Sequence, residues 1–358
     1  MFGSPSGKRT SIGLLGVGNI GQVHLQSARA MDDVEVTAAA DAVPENRAHA
    51  TSQGVDSVYD DFETLLENES LDAVIVALPP FLHRDAVELA AEQGAHAYVE
   101  KPFARSVAEA RELIDIADEA DVSLGVDHTI RYFPDVREVR DRYRDGRIGS
   151  VPYATISRVN NHPFSGPPVE GPYPSWPLDP DLAGGGVLLE LGVHLLDVLE
   201  WTFGEMEVLD AETDRQLEIP VEDAATVFLK AAETGTRVTL HCGSYQWEDL
   251  SEFNMTYRLE GATGALDNGD YAPESFYGNA AKASIGNVQK AFSGEEPDYF
   301  APTYYLQAYY TALREFVDAI RAGEQPPVSG AEGLRTVQLV EDAYDAADLT
   351  YDRQGVVQ

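Results

Sequence analysis

Glu190, His194 and Asp197 stand four and three residues apart in an apolar run that opens with Gly184-Gly185-Gly186. On a helix those spacings set all three polar side chains on one face. A carboxylate one turn before an imidazole can orient the ring and stabilise its protonated form, which suits a general acid/base. The same pattern also suits a buried helix whose carboxylates satisfy a core histidine. A metal pair of Glu190 and His194 has less behind it. Neither an HExxH pattern nor a Cys/His cluster accompanies them, and no metal is expected. The second candidate is Lys101, one of five lysines beside twenty arginines. An ammonium next to a substrate oxygen would stabilise developing alkoxide charge and orient the carbon for hydride transfer. A lysine after a strand is otherwise an ordinary solvated group.

The elements that must position these groups begin with a short apolar strand, residues 11–15, followed by Gly16-Val17-Gly18-Asn19-Ile20-Gly21 and a helix over 22–31. A GxGxxG between a strand and a helix is a dinucleotide fingerprint. Gly16 allows the tight turn, Gly18 the approach of a pyrophosphate, and Gly21 close helix–strand packing. The helix N-terminus, at Asn19 and Ile20, offers free N–H groups to phosphate. A second strand, 34–40, ends at Asp41, 25 positions after Gly16. That is the place for an acid on the adenosine ribose, and with Ala42 and Val43 following it favours NAD over NADP. Strands over 72–78, 96–99 and 122–126 alternate with helices over 83–93 and 106–120, the last with Ser106 as N-cap and Glu109 at the capping-box position. Such alternation predicts a doubly wound parallel sheet, with ligands beyond the carboxyl ends of its strands. Asp41, Pro79, Lys101 and His128 therefore share one rim.

In the second half, strands are expected over 151–159, 205–212, 225–231, 237–241 and 253–260. Helices are expected over 186–203, 304–322 and 331–347, with Gly323 as a C-cap. Residues 160–181 read as a loop rich in proline and aromatics that holds His162 and Trp176. Residues 270–302 read as a long irregular segment suited to a substrate or a partner.

Sixty-one acidic against 25 basic residues give a formal charge of −36, spread along all 358 positions. Such a surface repels nucleic acid and anionic membranes. Excess acid with little lysine points to a salt-rich cytoplasm, where screening removes self-repulsion. Residues 1–10 lack an apolar core and read as a loose arm rather than a secretory signal. No apolar run approaches the roughly 20 residues of a membrane span. The single cysteine, Cys242, excludes an intrachain disulfide framework and fits a reducing interior. A cytoplasmic protein of two domains is expected.

Four pieces together, Gly16 to Gly21, Leu78-Pro79-Pro80-Phe81-Leu82-His83, Glu100-Lys101-Pro102 and Gly184 to Asp197, resemble the glucose-fructose oxidoreductase/inositol dehydrogenase/rhizopine catabolism (Gfo/Idh/MocA) family. The similarity spans about residues 11–347. It implies a Rossmann domain over 11–128 and an α/β domain over 129–358. The second domain's open, mainly antiparallel sheet would serve substrate binding and homo-oligomer contacts, in a dimer or a tetramer. It implies NAD as cofactor, held by the glycine loop, Asp41, Leu78, Pro79, His83, Glu100 and Lys101. It makes Lys101 the catalytic lysine and His194 the base, with Glu190 where relatives carry Asp. His128, Arg131 and Trp176 are candidate substrate contacts, although Pro177 stands where relatives often have Arg. The implied reaction is oxidation of a secondary alcohol on a sugar, cyclitol or related polyol. The alternatives are a glycosidase using transient oxidation, and a non-catalytic dinucleotide sensor, against which the intact Lys101 and His194 argue.

Overall fold

The computed structural model describes residues 9–161, 176–245, 254–271 and 303–351. His162 and nearly all of the 270–302 segment lie outside them. Strands β1 (Thr10–Leu15), β2 (Val34–Ala40), β3 (Ser57–Tyr59), β4 (Ala73–Val76), β5 (His96–Val99) and β6 (Leu124–Val126) make one sheet in the order β3-β2-β1-β4-β5-β6. Every pairing in it is parallel. Crossovers run through helices α1 (Asn19–Arg29), α2 (Pro44–Ser52), α3 (Phe62–Asn68), α4 (His83–Glu92) and α5 (Val107–Glu119). Because β1 lies between β2 and β4, the winding reverses there, and a crevice opens above the carboxyl ends of β1 and β4. The strands are nearly unbroken apolar runs because helices cover both faces; Ala73 to Val76 are all buried. The short elements α2, β3 and α3 carry no strong period and were not legible. Ser106 caps α5 by accepting from the Glu109 N–H, but the Glu109 carboxylate turns to Arg105 instead of closing the box.

Helix α6 (Pro134–Arg144) leads into a second sheet of β7 (Tyr153–Asn161), β8 (Met206–Asp214), β9 (Ala224–Ala231), β10 (Arg237–Tyr245), β11 (Asn254–Gly261) and β12 (Gly264–Asp267), ordered β12-β11-β7-β10-β9-β8. Only β7 and β10 pair in parallel; the other four pairings are antiparallel. One face is apolar and covered. The other carries exposed Tyr153, Leu209 and Phe228.

Between β7 and β8 run α7 (Pro180–Ala183), a π-helical turn over Leu188–Gly192, and α8 (Val193–Phe203). This corrects the single helix expected over 186–203. The 24 residues Pro180–Phe203 are long and apolar enough to cross a membrane by length and composition, yet they are almost wholly buried inside the protein, as a core segment. The last helices, α9 (Tyr304–Ala322) and α10 (Gly330–Ala346), return to the first sheet. Arg314 and Arg321 of α9 both clamp Asp33 at the start of β2, and Val126 of β6 donates to the Val328 carbonyl at 2.9 Å.

Candidate active site

The glycine loop follows β1 at the reversal point. Gly16 has φ +91°, and a Cβ there would stand 2.3 Å from the Ala77 carbonyl oxygen just past β4, so only glycine fits. A Cβ on Gly18 would meet nothing within 4 Å, which leaves open space in front of the loop. Among the described residues no side chain caps α1, which suits a helix N-terminus that offers its first N–H groups to a phosphate. Asn19 is exposed and Ile20 half-buried beside it. The residues present therefore fit a dinucleotide.

Asp41 closes the corner. Its carboxylate accepts from the Val17 N–H at 2.7 Å, the Val43 N–H at 2.8 Å and the Asn46 amide at 3.2 Å. A carboxylate has about four acceptor positions, so one remains for a ribose hydroxyl. Arg47 of α2 donates to the Asp41 and Ala42 carbonyls at 2.7 and 2.9 Å. The expectation of no arginine immediately after Asp41 holds along the chain. In space the helix brings one back to the same corner.

Leu78 and Pro79 form the half-buried rim beyond β4. His83 is more deeply buried than these. It is 1% exposed, with ring nitrogens 2.9 Å from the Leu78 carbonyl and 3.2 Å from that of Phe103, so it braces two loops. Glu100 is likewise turned inward, away from the crevice. It accepts from the Lys101 N–H at 3.0 Å and stands 2.8 Å from His24 Nε2.

Lys101 reaches out of the first sheet to the π-turn. Its Nζ donates to the Glu190 carboxylate at 2.9 Å and to the Glu190 carbonyl at 3.1 Å. This corrects the expected Glu190–His194 pair: among the described residues no hydrogen bond joins those two. An ammonium attracts the carboxylate more strongly than a neutral imidazole can. Burial opposes ionisation of Glu190, but Lys101 and then Arg158 outweigh it and hold the carboxyl below its ordinary value. His194 is 6% exposed, and its Nδ1 has no hydrogen-bond partner among the described residues. Burial pushes its pKa well below the usual range, and the charges of Lys101 and Arg158 push the same way. The ring is therefore neutral near pH 7 and able to take a proton.

Asp197, the third polar group of the run, serves a different partner. Arg131 grips it in a fork at 2.6 and 2.7 Å and reaches Glu332 at 2.9 Å. At 4% exposure Arg131 braces Asp197 and Glu332 from inside the protein. His128 is buried too. It is 1% exposed, packed edge-on behind His194 with centroids 6.4 Å apart, and 3.3 Å from the Thr336 hydroxyl. Trp176 is half-buried in the turn that precedes α7.

Two groups escaped the sequence reading. Arg158 occupies an inward position of β7, in step with buried Ala154 and Ile156, and its charge acts on both Glu190 and His194. An arginine in the apolar phase of a strand was a readable signal. Glu222 had none. It is 1% exposed and accepts from the Gly186 and Leu188 N–H groups at 2.9 and 3.0 Å and from the Tyr344 and Tyr351 hydroxyls. It thereby anchors the start of the π-turn. A Cβ on Gly186 would lie 2.2 Å from the Glu222 carbonyl oxygen, which accounts for the last glycine of the triplet.

Residues 10–128 match the family described as "Oxidoreductase family, NAD-binding Rossmann fold", and residues 136–267 match the "GFO/IDH/MocA C-terminal domain". The chain belongs to the Gfo/Idh/MocA family. It is 31% identical over 348 residues to a D-apiose dehydrogenase of Paraburkholderia graminis, covering 95% of this chain and 88% of that one. It is 25% identical to a myo-inositol 2-dehydrogenase of Thermotoga maritima, over 92% and 93% of the two chains. A levoglucosan dehydrogenase solved with NADH and levoglucosan shares the fold, with a TM-score of 0.78 at 20% identity over 97% and 100% of the two chains. This Gfo/Idh/MocA member is thus an oxidoreductase with an NAD-binding Rossmann domain.

Proposed function

We propose that the protein is an NAD-dependent dehydrogenase that oxidises a secondary alcohol of a sugar, cyclitol or related polyol. The observation that carries this is the convergence of Lys101, from the end of β5, with Glu190 and His194, from the π-turn and α8, at the mouth of a dinucleotide crevice. NAD, when bound, supplies a hydride acceptor; position and field come from the protein. Lys101 holds the substrate hydroxyl oxygen and stabilises its developing negative charge. Neutral His194 accepts the hydroxyl proton. Glu190 neutralises part of the Lys101 charge and fixes its side chain, and Arg158 adds a positive field from the second sheet. The names of the dehydrogenase relatives support a polyol substrate.

Asp41 supports NAD over NADP, since its charge repels a 2′-phosphate. The exposed Tyr153, Leu209 and Phe228 support a homo-oligomer built on the open sheet face. A panel of polyols and aldoses with NAD and NADP at molar KCl, followed at 340 nm, tests the reading. NADH should form with at least one polyol, and kcat/KM for NAD should exceed that for NADP by about tenfold or more. Release of sugar from a glycoside without net NADH would favour the glycosidase. NADH binding with no turnover on any panel member would favour the sensor.

A further inference from the structure

Beneath the crevice lies a second ionisable cluster that the proposed chemistry does not use. His24 of α1, Glu100 past β5 and Asp127 past β6 are 0%, 6% and 0% exposed. His24 Nε2 stands 2.8 Å from Glu100 Oε1 and 3.4 Å from Asp127 Oδ2. The Tyr98 hydroxyl donates to Asp127 Oδ1 at 2.9 Å, and the rings of Tyr98 and Tyr309 enclose the imidazole edge-on. Composition alone would suit a metal, but 2.8 Å is a hydrogen-bond distance; two ligand atoms on a tetrahedral zinc stand about 3.3 Å apart. Burial pushes the pKa of His24 down and those of both carboxyls up.

Such a cluster is expensive to desolvate, and apolar side chains of similar volume would avoid that cost. What it supplies is direction. Glu100 Oε2 accepts from the Lys101 N–H at 3.0 Å, while Oε1 faces His24 on the helix that follows the glycine loop. We propose that His24 and Glu100 are positioning residues for Lys101: the Glu100 carboxylate fixes the Lys101 main chain, and His24 fixes that carboxylate. A small error in Lys101 placement would then appear in turnover rather than in cofactor binding, because the Lys101 ammonium reaches the reacting oxygen from this one anchored peptide. The inference rests on the reading of Lys101 as a catalytic residue.

The test compares His24→Leu, which removes the ring N–H, with His24→Gln, which retains a donor. His24→Leu should lower kcat about tenfold to a hundredfold. KM for the polyol and Kd for NADH, read by its fluorescence, should stay within about threefold of the parent. His24→Gln should recover most of the loss. A His24→Leu enzyme at the parental kcat overturns the inference. So does a joint loss of kcat and NADH affinity that His24→Gln leaves unrepaired. Should His24→Leu not fold, Glu100→Gln decides, since its amide has an acceptor for only one of the two donors. A kcat lower by about tenfold with a parental melting curve supports positioning, and a parental kcat overturns it. Lys101→Met, measured beside these, separates the two levels. If it is inactive while His24→Leu and Glu100→Gln keep the parental rate, only the inference falls. If it is fully active, the role of Lys101 itself falls.

Discussion

Lys101→Met removes the ammonium and leaves a side chain of similar length. The lysine Nζ carries three donors, of which two are spent on the Glu190 carboxylate and carbonyl. One N–H remains for the substrate oxygen. A single preorganised donor aimed at a developing oxyanion contributes about 2.7–4 kcal/mol to the transition state, so kcat should fall by about 10² to 10³. The hydroxyl carries little charge before reaction, so KM for the polyol should move much less than kcat. With the chemical step slowed, a substrate deuterated at the oxidised carbon should show a larger isotope effect than in the parent. The assay is NADH formation at saturating NAD, with NADH affinity and melting temperature measured alongside. Loss of the cation should also raise the pKa of His194, because Lys101 pushes it down in the parent. A folded Lys101→Met enzyme within about threefold of the parental kcat would refute the assignment.

His194→Ala removes the proton acceptor, so kcat should drop by about two to four orders of magnitude while NADH affinity holds; a parental rate would end that role. Because burial and two cations depress its pKa, the acid limb of kcat/KM should lie below the ordinary histidine range, and Glu190→Gln, which leaves Lys101 unneutralised, should move it lower still; an upward move would contradict the geometry. Glu200, half-buried in α8, has its pKa raised by desolvation to about 7. The native state therefore holds a proton that the unfolded state releases between pH 4.5 and 7, and stability falls as pH rises through that window. Glu200→Gln should abolish this fall, gaining at most about 3 kcal/mol relative to the parent by pH 8, as read by urea unfolding; equal pH slopes would refute it. With a formal charge of −36, the melting temperature should rise from dilute buffer to molar KCl as repulsion is screened; a flat response would count against a salt-adapted surface.

The sequence by itself determined five of the six strands of the first sheet, because their signals are local. Each of those five is a short apolar run, each major helix has its own period, and Gly16-x-Gly18-x-x-Gly21 must stand between one of each. It also singled out Lys101 and His194 as the groups on which the proposed chemistry rests, since their types are rare in such surroundings. Partners were another matter. The i, i+4 rule joined Glu190 to His194, but a partner is chosen by strength of attraction among all groups in reach, and folding brought in an ammonium from 89 positions away. The same long-range choice turned Arg131 onto Asp197 and His83 onto the Phe103 carbonyl, while the turn into α2 put Arg47 beside Asp41 from only six positions away. Glu222 shows the limit most plainly. Its four donors come from residues 186, 188, 344 and 351, so nothing near position 222 in the chain could announce that it holds the start of the π-turn.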